Sequence, residues 1–158
     1  MEILIKRASK EDVERVIANR KAFITDVMNR EASDEFMEAT TEYFHNNINS
    51  ETLLCYIAIH EDQIVASVIT TIAQVIPKTY NLSGKIGYVY NVYTLPNYRR
   101  QGIATKLLQE VISEARDLGV GELYLNATED GRPVYEKLDF RMLENEMRLM
   151  IDSYPIES

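Results

Sequence analysis

Between residues 86 and 125 the apolar period changes from two to helical spacing and back. Ile86, Tyr88, Tyr90, Val92 and Thr94 alternate with Gly87, Val89, Asn91 and Tyr93, which predicts a long strand ending near Pro96. A helix is predicted from about Gly102, with Ile103, Leu107, Leu108, Val111, Ile112 and Ala115 on its inner face and Gly119 as its C′ glycine. Leu123-Tyr124-Leu125 then reads as a second strand. A strand, a helix and a strand in that order demand a parallel pair joined by a right-handed crossover.

The flanking segments fill in the rest. Residues 2–7 read as a strand, and Ser9 to Asp12 as a capping box opening a helix with Val13, Val16, Ile17, Ile24, Val27 and Met28 on one face. Ser33 offers a second N-cap before Phe36, Met37, Thr40, Tyr43, Phe44 and Ile48. Leu53 to Ile59 and Ile64 to Ile76, turned by Glu61-Asp62, predict a hairpin. Residues 77–84 read as a loop, Thr128 to Leu138 as a short helix, and Phe140 to Ile151 as a final strand or hairpin. The expected architecture is one α/β domain. Its sheet is mixed and mostly antiparallel, with one central parallel pair and helices on both faces.

Composition narrows the function. The 158 residues are 46% apolar and 27% charged, as in an ordinary globular chain. The net charge of −8 argues against a nucleic-acid or anionic-membrane partner. No apolar run is longer than a strand, and the first residues make no signal segment, so a cytoplasmic protein is expected. The lone Cys55 lies in an apolar run and reads as a small buried hydrophobe. His45 and His60 have no Cys/His/Asp cluster around them, so no metal site is expected, and neither a Ser-His-Asp nor a Cys-His hydrolase.

Charge is unevenly distributed. Residues 63–109 contain none of the 25 acids, yet hold Lys78, Lys85, Arg99, Arg100 and Lys106. Strands exclude acids anyway, which covers residues 63–76 and 85–95. It does not cover 96–109, where a helix N-terminal turn would normally welcome Asp or Glu. That turn reads Arg99-Arg100-Gln101-Gly102-Ile103-Ala104-Thr105. Its free N–H groups suit an external anion, and Gly102 and Ala104 keep bulk away from them. The phosphate loops Gly-x-x-x-x-Gly-Lys-Ser/Thr and Gly-x-Gly-x-x-Gly are both missing.

At these residues the sequence resembles the GNAT superfamily of acyl-CoA-dependent N-acetyltransferases. The family pattern Gln/Arg-x-x-Gly-x-Gly/Ala is met by Arg99 to Ala104, preceded by Asn91 to Tyr98. A second family element, a Tyr before a closing Gly-Phe, is met by Tyr135-Glu136-Lys137-Leu138-Asp139-Phe140, with Asp139 in place of the glycine. Glu146-Met147-Arg148-Leu149 is similar to the family's last strand.

The resemblance implies that residues 1–158 form a single N-acetyltransferase domain using acetyl-CoA. Arg99, Arg100, Gln101, Gly102, Ile103, Ala104 and Thr105 would hold the pyrophosphate of coenzyme A. Backbone groups of Val92, Tyr93 and Thr94 would pair with the pantetheine arm, and Asn126 would line the cleft. Tyr135 would be the general acid. The acceptor would be a small-molecule or peptide amine, and the family admits a homodimer. The long strand lacks the Glu that many members use as base. Glu51, His60 and Glu129 remain unranked for that role, and Tyr88, Tyr90 and Asn91 could only order water. A catalytically degenerate CoA-binding sensor or partner-binding domain is the alternative. The tyrosines at 80, 88, 90, 93 and 98 either shape an acceptor pocket or are simply strand residues.

Overall fold

The structure, a computed structural model, describes residues 2–155. The chain divides into two compact units, Met1–Asn126 and Ala127–Ser158.

The first unit is built on a five-stranded sheet in the order β1-β2-β3-β4-β5. Its strands are β1 Leu4–Arg7, β2 Leu53–His60, β3 Gln63–Gln74, β4 Lys85–Thr94 and β5 Glu122–Leu125. The first four pair antiparallel, and β4–β5 is parallel. The parallel pair therefore lies at one end of the sheet rather than at its centre. The hairpin turn places Glu61 and Asp62 at φ 50° and 64°, the left-handed pair that a tight two-residue turn requires.

Helices cover both faces. α1 (Val13–Asp26) and α2 (Asp34–Asn47) pack on one side. Ser33 Oγ caps α2 by accepting from Phe36 N at 3.1 Å. Cys55, Ile57 and Ile69 from the strands join Val13, Val16, Ile17 and Phe44 in one buried cluster there. α3 (Ile103–Asp117) packs on the other side, against β2, β3 and β4. Tyr56, which stands between Cys55 and Ile57 in β2, turns to this second face and donates to Glu114 Oε1 of α3 at 2.6 Å. Arg7 NH1 reaches the other oxygen of the same carboxylate at 2.8 Å.

Leu107, Leu108 and Val111 of α3 are fully buried, and losing one such Leu side chain would cost about 2–5 kcal/mol. α3 ends as its sequence predicts. Gly119 takes φ 79°, Val120 N donates to Ala115 O and Gly119 N to Arg116 O, which is the Schellman arrangement.

The second unit holds α4 (Arg132–Lys137) and a short 3-10 turn, Ile151–Ser153. The final strand expected over 140–151 is not formed. Residues 141–150 are exposed and make no backbone hydrogen bond among the described residues except as acceptors for the turn. A strand needs a ladder partner, and this unit contains no other extended segment to supply one.

Candidate active site

The helix α3 begins with a bare N-terminus. Gly102 is its N-cap at φ 75°, and a Cβ built there would meet nothing within 4 Å. The first turn contains no acid. Among the described residues, the amides of residues 100–105 donate to no backbone or side-chain acceptor; the first bond is Lys106 N to Gly102 O at 3.2 Å. Of the five cations in the acid-free stretch, three are engaged. Lys78 pairs with Glu122 at 3.1 Å, Lys85 Nζ donates to Leu118 O at 2.9 Å, and Arg99 Nε donates to Thr94 O at 2.9 Å. Arg100 and Lys106 are exposed and have no partner among the described residues. The dipole end, open amides, two spare cations and an open approach over Gly102 together fit a phosphate-bearing ligand.

A second feature lies on β4. Its pairing with β5 stops at Val89 opposite Leu125, while its pairing with β3 runs on to Thr94. Among the described residues, one edge of β4 thus has no strand partner beyond Val89. Leu95 N donates to Val65 O on β3, so by alternation Tyr93 also faces β3, and Val92 and Thr94 face the bare edge. The Thr94 carbonyl accepting from Arg99 agrees. Among the described residues the backbone groups of Val92 and the Thr94 N–H are therefore free to receive an extended arm, while the Thr94 carbonyl is taken by Arg99. Those of Tyr93 are turned into the sheet, and its hydroxyl donates to Asp26 Oδ2 at 3.1 Å. Asn126 follows β5 and is exposed.

The register shifts between Ile69 and Thr70, leaving Tyr90 as the extra residue of a bulge on β4. The bulge aims Asn91 at the α1 side, where it is fully buried. Its Nδ2 donates to Ser67 Oγ at 3.0 Å, and Ser67 Oγ donates to Asn19 Oδ1 at 2.5 Å. Arg20 NH1 donates to Asn91 Oδ1 at 3.3 Å. Tyr90 is exposed and stacks near Tyr88, with ring centroids 4.5 Å apart. Burial, and then Tyr90 beside it, raise the Tyr43 phenol above its ordinary pKa.

The sequence reading missed Arg20. Its signal was present: Arg20 continues the spacing of Val13, Val16, Ile17 and Ile24, so a cation stands on the apolar stripe of α1.

In the second unit, Tyr135 is buried, and burial raises its pKa. Its hydroxyl has no hydrogen-bond partner among the described residues. Gly131 lies against the ring, leaving only 2.9 Å from a built Cβ to Tyr135 Cε2. Asp139 takes φ 68°, so the turn survives without the family's glycine, and Phe140 N donates to Tyr135 O at 3.0 Å. Among the base candidates, His60 Nδ1 is engaged with Tyr98 Oη at 2.8 Å, and Glu51 and Glu129 are exposed. No group of His, Cys, Asp and Glu among the described residues is arranged to hold a metal.

Comparison with known proteins decides the family. Residues 21–140 match the Acetyltransferase (GNAT) family. The chain belongs to the GNAT acetyltransferases. Members of this family use acetyl-CoA. A predicted acetyltransferase with acetyl-CoA from Clostridium acetobutylicum superposes with a TM-score of 0.89 at 28% identity, covering 97% of this chain and 99% of that one. An aminoglycoside N-acetyltransferase in complex with CoA shares the fold at a TM-score of 0.74 and 17% identity, over 94% of each chain. The glucosamine 6-phosphate N-acetyltransferase of Trypanosoma brucei brucei is 33% identical over 73 residues, 46% of this chain and 50% of that protein. The match thus spans about half the length of that curated relative. No helix among the described residues is long and apolar enough to cross a membrane.

Proposed function

We propose that this GNAT protein is an acetyl-CoA-dependent N-acetyltransferase that passes the acetyl group to a primary amine of a small molecule or peptide by direct attack. The observation that carries this reading is the row of unbonded amides at the start of α3, beside the spare charges of Arg100 and Lys106. When bound, acetyl-CoA supplies an acetyl thioester whose thiol, with a pKa of about 8.5, is a good leaving group.

The chain's own part is to bind, orient and deliver a proton. The amides of Ile103, Ala104 and Thr105, with Arg99, Arg100 and Gln101 around Gly102, bind the pyrophosphate. Val92 and Thr94 pair with the pantetheine arm as a strand would, and an N–H on that edge polarises the acetyl carbonyl. Asn126 borders the cleft. Tyr135 is the general acid; burial keeps its phenol protonated at neutral pH, as an acid must be. β4 carries no carboxylate, so the amine must lose its proton to a group outside that strand. The cytoplasm is the proposed location, consistent with one unpaired, buried thiol.

Calorimetric titration with CoA and thiol release over an amine panel test this reading. Gly102→Val, which puts a branched side chain before the open amides, should weaken CoA at least tenfold. Tyr135→Phe should lower kcat by about 10²-fold and leave CoA affinity within twofold. CoA binding without turnover on any amine would instead favour a sensor of the same fold, and no CoA binding would overturn both.

A further inference from the structure

On the α1 side of the sheet, behind the unpaired stretch of β4, stands a guanidinium with no counter-charge among the described residues. Arg20 is half-buried. Its Cζ lies 5.9 Å from the centroid of the Phe36 ring of α2. Its one hydrogen bond among the described residues goes to Asn91 Oδ1 at 3.3 Å. An arginine has five donors, and charge-assisted bonds usually run about 2.7–2.9 Å, so this bond is long and most of the fork is unused.

Arg7, Arg15 and Arg132 each reach a carboxylate within 2.8 Å; Arg20 reaches none among the described residues. Burial alone depresses its pKa, with no acid opposing. Removing a cation from water without an anion is costly, and a purely structural residue here would be better replaced by an apolar one. The polar chain behind it is fully specified: Asn91 Nδ2 is committed to Ser67, and Ser67 to Asn19, which leaves Asn91 Oδ1 turned to Arg20. Asn91 immediately precedes Val92, whose amide faces the bare edge of β4. Arg20 thus bonds the side chain of the residue that precedes the edge along which the pantetheine arm would lie. Tyr90, the bulge residue next to Asn91 in the chain, is exposed.

We propose that Arg20, held by Asn91, is the anion subsite of the acceptor, so that the amine carries a phosphate or carboxylate. This rests on the acetyl-transfer reading for the position of the acceptor.

The test compares matched acceptors, with the protein saturated with CoA for binding and with acetyl-CoA for turnover: glucosamine 6-phosphate against glucosamine, and 4-aminobutyrate against its amide. Binding is read by calorimetry, which needs no turnover, and kcat/KM by thiol release. The wild-type protein should bind the charged member of one pair at least tenfold more tightly, and the pair that shows it separates phosphate from carboxylate. Arg20→Gln should abolish that preference through KM, with affinity for CoA and for the neutral member unchanged; Arg20→Lys should keep part of it. Equal or absent binding of both members in both pairs overturns the proposal, as does a preference that survives Arg20→Gln. The wild-type comparison stands even if a variant fails to fold. Selective binding without acetylation would sink the enzyme and spare the subsite; acetylation without charge preference would do the reverse.

Discussion

Asp12 shows how one side chain fixes the entry to α1. It is 1% exposed, and its carboxylate accepts from Ser9 N at 2.8 Å, Lys6 at 2.9 Å and Arg15 at 2.6 Å. Burial alone would raise its pKa, but the Ser9 N–H, Lys6, Arg15 and the Ser9 hydroxyl overcome it and hold the group at about 2. A carboxyl depressed in the folded state stabilises it above the unfolded pKa of about 3.9 and loses that contribution as pH falls towards 2. Because Lys6 and Arg15 are part-exposed and screened, about 1–2 kcal/mol is expected. Urea unfolding of the wild type and Asp12→Asn should differ by that amount at pH 7 and converge near pH 2; a gap independent of pH would contradict the assignment. The Ser9–Asp12 spacing is legible in the sequence because capping is local. Lys6 and Arg15 as partners are not, since their approach depends on the path of β1 beside α1. Asn91 was hidden for a related reason: strict alternation groups it with Val89, and only the bulge at Tyr90 brings it to the α1 face.

Elements with their own stop signals were readable almost to the residue. α3 begins after Gly102 and stops at Asp117, just short of Gly119, because its apolar stripe and both flanking glycines agree. The strand expected over 140–151 leans on the similarity of Glu146-Met147-Arg148-Leu149 to the family's last strand, and a local segment cannot supply its own ladder partner. α4 is shorter than expected, starting at Arg132 with Pro133 in its first turn. Its end rests on Asp139 at φ 68°. Asp139→Gly removes the left-handed strain and should raise stability by roughly 0.5–1 kcal/mol in urea unfolding. A loss of stability would mean that the Asp139 side chain contributes more than its backbone costs.

At the scale of the molecule, the sheet faces are sealed, and Cys55 reports on one of them. It is 1% exposed, and burial, with Asp12 nearby, pushes its thiol up to about 12. Iodoacetamide should leave the native protein unlabelled at pH 8 and react in step with urea unfolding; rapid native labelling would contradict the packing of β2 against α1. The fold class was legible because the parallel crossover admits few topologies, and the family because its motif opens α3. The contact of Arg20 with Asn91 was not, because it joins a helix to a bulge that no local pattern connects.

The amide spectrum of nitrogen-15-labelled protein, titrated with CoA, tests the central claim most directly. The account predicts the largest shifts at Ile103, Ala104 and Thr105 and at Val92 and Thr94, with Tyr93 moving less. Saturation by CoA with the α3 N-terminal amides unmoved would contradict it.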